Sequence, residues 1–118
     1  MVVDDDMGVC QAFKRQAYGH SIVEPFDDPY RALKEIQTAP HYSAILSDLR
    51  MPMMDGLSFL ARVRAIAPAM PLFLFTGALD HVEIRQRLLE IGVRGTFFKP
   101  LNSVTVLTEV LRSLRQKP

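Results

Sequence analysis

Three consecutive carboxylates, Asp4, Asp5 and Asp6, follow two β-branched residues in the opening stretch MVVDDDMGVC. Asp48 stands just past the apolar run SAIL, Thr76 just past PLFLF, and Lys99 just past RGTFF. Crowded carboxylates repel and raise one another's pKa unless a cation compensates. A hard divalent cation takes oxygen ligands; Mg²⁺ commonly uses one or two carboxylates, waters and phosphate oxygens. With the repulsion removed, one carboxylate can attack phosphorus and form an aspartyl phosphate. Such transfer needs mainly positioning and neutralisation of the phosphoryl oxygens. The metal supplies one contact, the Lys99 ammonium a second and the Thr76 hydroxyl a third. A blander reading sets the acids at turns and helix starts, where Asp caps the first amides, and leaves Lys99 an ion pair.

The elements that position these groups decide between the readings. Short apolar runs fall at 1–3, 20–26, 43–46, 71–75 and 94–98, each of strand length. Between them lie helical spacings: Cys10, Phe13 and Ala17; Leu60, Val63 and Ala67; Val104, Leu107, Leu111 and Leu114. Asp28-Pro29 fits a cap followed by proline at the first helical position. Asp80 with Glu83 resembles a capping box, Gly92 fits a helix stop, and Asn102 and Ser103 can cap the last helix. The chain therefore reads as (βα)5, and strands alternating with helices imply a parallel sheet covered on both faces. In such a sheet, function gathers at the carboxyl ends of the strands. Asp4, Asp5, Asp48, Thr76 and Lys99 all fall there, which outweighs the capping reading for these five.

The bulk numbers agree with one ordinary domain. The chain has 118 residues, 48% of them apolar, enough for a core without staples. Net charge is +1, which makes no global case for direct nucleic-acid or membrane binding. No apolar run reaches membrane-span length, and nothing at the start reads as a signal peptide. The single cysteine, Cys10, excludes an internal disulfide and a cysteine-based zinc site. A reducing, cytoplasmic location is the expectation.

Four stretches, VVDDD at 2–6, SDLRMPMMDG at 47–56, FTG at 75–77 and FKP at 98–100, occur in order at the strand ends. With them the chain resembles the response-regulator receiver domains of two-component signalling, and the single-domain chemotaxis regulators in size and layout. The resemblance covers nearly the whole chain, 1–118, as one domain. It implies a flavodoxin-like doubly wound α/β sheet, five parallel strands in the order 2-1-3-4-5 with helices on both faces. It implies Asp48 as phospho-acceptor, followed by Met51-Pro52 and Asp55-Gly56. Mg²⁺, or Mn²⁺ in its place, would be held by Asp5, Asp48, the Arg50 backbone carbonyl and, through water, Asp4. Thr76 would be the switch hydroxyl, Lys99 would hold a phosphoryl oxygen, and the peptide before Pro100 would be cis. The phosphodonor would be a histidine kinase or histidine phosphotransfer protein, and the surface over 76–115 would switch for an output partner or attached domain. A homodimer through the last two βα units is a further implication.

The pattern departs at two places. The resemblance calls for Tyr or Phe three residues before the lysine, and Thr96 stands there. Strand alternation sends Phe97 to the opposite side, so the output surface is expected to respond without a ring at position 96. Arg50 and Ala78 stand where the family tunes phosphate lifetime, and a cationic Arg50 would contact Asp48 or shield the phosphoryl group. Two other function classes compete. One is a Mg²⁺-dependent phosphatase with an aspartyl nucleophile in Asp4-x-Asp6, which here lacks length for a cap domain. The other is a receiver-shaped interaction module that is never phosphorylated. The chain reads either as a stand-alone regulator or as a piece of a longer protein such as a hybrid kinase.

The remaining candidates have plainer readings. Asp6 reads as a helix start and Asp55-Gly56 as a turn. Ser43 and Ser47 have no histidine motif beside them, and His20, His41 and His81 share no metal spacing. Cys10 reads as a small core residue, and Met51, Met53 and Met54 as loop packing. Arg85, Arg87, Arg94, Arg112 and Arg115 could form a partner patch, with a solvated helix face as the default reading.

Overall fold

The computed structural model describes residues 1–16, 22–38, 41–77 and 82–116. Ala17, His20, Ala78, Asp80 and His81, all named above, lie outside the described residues. The elements run β1 (Val2–Val3), α1 (Met7–Gln16), β2 (Pro25–Phe26), α2 (Pro29–Thr38), β3 (Ile45–Ser47), α3 (Gly56–Ile66), β4 (Leu72–Thr76), α4 (Val82–Ile91), β5 (Val93–Phe98) and α5 (Ser103–Arg115). The five strands form one parallel sheet in the order β2-β1-β3-β4-β5. This is the order and layout expected of a flavodoxin-like sheet. No helix among the described residues is long and apolar enough to cross a membrane.

Side-chain alternation divides the core. Leu72 and Leu74 of β4 join Val3, Ile36, Ile45, Phe59, Leu60 and Val63 on one face. Phe73 and Phe75 join Val2, Phe13, Leu46, Val106 and Val110 on the other. All five residues of β4 are buried, as a strand covered from both sides must be. Strand β2 is shorter than its apolar run. Among the described residues of that run only Pro25–Phe26 form the strand, and Pro25, which has no N–H to give a ladder, sits on the edge strand where that costs least.

The helix ends follow local chemistry. Asp6, Asp28 and Asn102 accept from the amides of Gly8, Tyr30 and Val104 at 2.8, 2.8 and 2.7 Å. Asp55 accepts from Ser58 N–H at 2.9 Å with extended dihedrals, so it caps α3 rather than closing a turn. Gly92, at φ 84°, ends α4 by donating its N–H to the Leu88 carbonyl at 3.0 Å. Cys10 is fully buried, and Met51 and Met54 enter the core while Met53 stays half exposed. Arg94 is the extra residue of a register shift between β4 and β5, where Leu72 faces Val93 and Phe73 faces Gly95. Beyond it, Thr96 lies opposite Leu74 and Phe97 opposite Phe75.

Candidate functional site

Parallel pairing aligns the carboxyl ends of β1, β3, β4 and β5 along one edge. Asp4 leaves β1 with its N–H on the Phe26 carbonyl, and Asp48 leaves β3 with its N–H on the Val3 carbonyl. Both carboxylates are thereby aimed from the middle of the sheet. Carboxylate oxygens of Asp4, Asp5 and Asp48 lie within 4.8 Å of one another. Asp4 and Asp48 are buried and Asp5 is exposed, so the cluster is a pocket floor with one solvent-facing wall.

Each buried carboxylate has defined partners. Asp4 Oδ1 accepts from Asp6 N–H at 2.9 Å, and Oδ2 accepts from Lys99 Nζ at 3.0 Å. Asp48 Oδ1 accepts from Leu49 N–H at 2.8 Å, and the Arg50 N–H also faces the carboxylate. Asp48 Oδ2 lies 3.7 Å from Lys99 Nζ. The peptide between Lys99 and Pro100 is cis. Lys99 N–H donates to the Thr76 carbonyl at 2.8 Å, which ties the ends of β4 and β5 together. The Lys99 ammonium also stands 5.4 Å from the centre of the Phe75 ring. Thr76 is buried in the last position of β4.

Two features here were not read from the sequence. Gly56, read as half of a turn, is the first residue of α3 and packs against the chain leaving β3. A Cβ there would overlap the Asp48 carbonyl oxygen and come within 2.7 Å of the Leu49 Cα. Its N–H donates to the Leu49 carbonyl at 2.6 Å. The Asp-Gly pair was the visible signal, but it points equally to a turn. Cys10 Sγ donates to the Asp4 carbonyl at 3.3 Å, so the first helix braces the loop that carries the acids. No sequence spacing shows that contact.

Electrostatics favour an added cation. Burial raises the Asp4 carboxyl, and the Asp6 amide and Lys99 only partly offset this. Burial raises Asp48 too, and the Asp4 charge adds to it. Burial pulls the Lys99 ammonium down, but the hydrogen bond and charge of Asp4 and the charge of Asp48 outweigh it, and its pKa is raised. Burial thus raises both carboxyls, and their two charges together raise the ammonium they flank. All-oxygen donors on a negative pocket fit a hard divalent ion such as Mg²⁺.

The other candidates fall elsewhere. Asp6 is occupied as the cap of α1, so the Asp4-x-Asp6 arrangement does not present a second carboxylate to the pocket. Ser47 donates to the Asp48 carbonyl at 2.8 Å, and His41 stacks on Tyr42 with ring centres 4.7 Å apart. Arg50 is exposed and lines a groove of about 600 Å³ with Asp5, Met51, Asp55, Ile84 and Arg87. Thr96 is half-buried. Phe97 lies on the opposite face, stacked against Phe73 at 6.2 Å between ring centres.

Comparison with known proteins gives one answer. The response regulator receiver domain profile matches residues 1–111. The transcriptional regulatory protein ZraR of Salmonella typhimurium is 31% identical over 105 residues, covering 86% of this chain and 23% of that protein. The response regulator MprA of Mycobacterium ulcerans is 29% identical over 117 residues, covering 98% of this chain and 50% of that protein. The chain thus spans between about a quarter and a half of these relatives' length. Among solved structures, the chemotaxis protein CheY4 of Vibrio cholerae aligns with a TM-score of 0.84 and 29% identity, covering 95% of this chain and 94% of that one. A CheY-like receiver domain from Methanospirillum hungatei aligns with a TM-score of 0.88 at 23% identity, covering 97% and 90%, and speaks to the fold.

Proposed function

The chain belongs to the response-regulator receiver family of two-component signalling, and on that premise we propose that Asp48 accepts the phosphoryl group. The observation that supports this most directly is the meeting of Asp4, Asp5, Asp48 and Lys99 at one strand-end pocket. Asp48 is the member whose two oxygens are used differently. Oδ1 accepts from the Leu49 N–H, and Oδ2 stands 3.7 Å from the Lys99 ammonium. That oxygen is the nucleophile toward phosphorus.

Asp5, Asp48 and the Arg50 carbonyl would hold Mg²⁺, with Asp4 acting through water, and Mn²⁺ would serve by the same oxygen chemistry. When bound, the ion neutralises phosphoryl oxygens and cancels the acid repulsion. Lys99 releases Asp4 and takes a phosphoryl oxygen; the Thr76 hydroxyl moves to donate to another. Arg50, exposed at the groove, screens the phosphoryl group from water. The domain carries out its own phosphoryl uptake and loss and turns over no external metabolite. A phosphohistidine on a kinase or phosphotransfer protein in the cytoplasm is the donor.

Output passes through residues 76–115 to a partner, an attached domain or a second copy. Half-exposed Phe98, Leu101 and Val104 give that surface an apolar character. Residues 1–118 act as one such domain. The test is mass spectrometry after acetyl phosphate or phosphoramidate with Mg²⁺. The wild type should gain one phosphoryl group and Asp48→Asn none; an unlabelled wild type would leave a receiver-shaped interaction module.

A further inference from the structure

Arg64, in the last turn of α3, is a half-buried cation without a carboxylate partner among the described residues. Its guanidinium donates instead to four main-chain carbonyls. Nε reaches Ile91 O at 2.7 Å and Nη2 reaches Gly92 O at 3.0 Å. Nη1 reaches Pro68 O at 2.9 Å and Met70 O at 2.7 Å. These acceptors belong to the α3–β4 loop and to the closing turn of α4. A helix leaves its last carbonyls without partners, and its C-terminal end is electronegative. The planar five-donor fork of arginine satisfies several such carbonyls in one fixed geometry.

The other half of α4 is held far less. Its buried residues are Leu88 and Ile91, both toward the C-terminal end. In the first half only Ile84 is partly buried against the core, and Val82 is 77% exposed. Ile84 and Arg87 form one wall of the groove whose opposite wall carries Asp5, Arg50, Met51 and Pro52. One helix thus has a clamped end and a lightly packed end, and the lightly packed half borders the acid pocket.

We propose that Arg64 is the fixed pivot of α4, so that the helix moves only by swinging its first half and thereby changes the width of the groove beside Asp48. This reading stands apart from phosphoryl acceptance and does not require it. The ten-residue helix is about 15 Å long, so a tilt of roughly 15° about the clamp carries its far end about 4 Å. Sliding of the whole helix would break the two Arg64 bonds to Ile91 and Gly92, while those to Pro68 and Met70 hold the guanidinium in place; swinging about its end breaks none.

The experiment is backbone ¹⁵N relaxation dispersion on the wild type, Arg64→Met and Arg64→Lys, without phosphodonor. In the wild type, exchange contributions should appear over 82–87 and be absent over 88–93. In Arg64→Met they should spread through 88–93, rising at least threefold there, while α3 amides over 56–63 keep their resonances. Arg64→Lys keeps the charge but donates from one nitrogen, so it should show the same spread. Wild-type exchange missing from 82–87, or equal over both halves, overturns the proposal even if neither variant folds. Variants that keep the wild-type pattern overturn it too. Phosphoryl labelling at Asp48 on the same samples reports separately on acceptor function.

Discussion

Lys99 is paired with Asp4 more closely than with Asp48: its ammonium lies 3.0 Å from Asp4 Oδ2 and 3.7 Å from Asp48 Oδ2. The Lys99 ammonium thus neutralises mainly the more deeply buried acid, at 2% exposure. The acceptor candidate is left with the weaker share.

Replacing Lys99 by Met should therefore hurt twice. Asp4 would be left buried with only the Asp6 amide, costing about 2 kcal/mol of stability at pH 7 without metal. Phosphoryl uptake should slow about a hundredfold, as when one oxyanion donor is lost. Urea unfolding and the labelling rate read the two effects. An unchanged rate would remove Lys99 from the phosphoryl contact.

The raised Asp4 and Asp48 carboxyls set a sign for the pH dependence of metal-free stability. Their folded pKa values lie above the unfolded value of 3.8, so between the two the folded state binds more protons. Stability should rise as pH falls from neutrality toward 4, apart from other groups. Asp48→Asn should stabilise the metal-free protein at pH 7 by about 1 kcal/mol and flatten that rise. Denaturant midpoints at pH 7 and pH 5 measure both. A wild-type midpoint that drops on acidification, with the variant unchanged, would contradict it.

Gly56→Ala adds a Cβ onto the backbone of Asp48 and Leu49, neither of which can yield as a flexible side chain would. The expected cost is about 3 kcal/mol, with loss of phosphoryl uptake. Thermal melting and labelling at Asp48 check it.

Burial pushes the Cys10 thiol up to about 11, and its Sγ donates into the Asp4 carbonyl. Native protein should resist thiol reagents at pH 8, at least a hundredfold more than in urea. Rapid native labelling would contradict the brace between α1 and the acid loop.

Arg50→Asn should shorten the phosphoryl lifetime, since the exposed guanidinium at the groove would no longer screen Asp48 from water. Autodephosphorylation rates with Mg²⁺ test this directly, and equal rates for both proteins would end the idea.

Much of this was legible before the fold was seen. Apolar runs separated by helical spacing gave the sheet, because a strand covered on both faces has to be apolar throughout, as β4 is. The acids and Lys99 could be placed at one edge because parallel strands end on the same side. What stayed hidden was contact across the chain. Gly56 looked like a turn, since nothing local shows that it must lie against the Asp48 backbone. Arg64 carries no sequence signal, since its four carbonyl partners come from segments that only the tertiary fold brings together. Strand β2 is shorter than the apolar run that marks it, because apolar residues preceding Pro25 need not pair at a sheet edge.

With Phe97 wedged against Phe73 and only a threonine at position 96, no aromatic ring at these two places is available to turn outward. A neighbour that reads this domain must sense where the main chain lies. The hydrogen bond from Lys99 N–H to the Thr76 carbonyl joins β5 directly to the end of β4. A change at the pocket passed along that link would be a displacement of backbone, felt as shape by whatever rests on the far side.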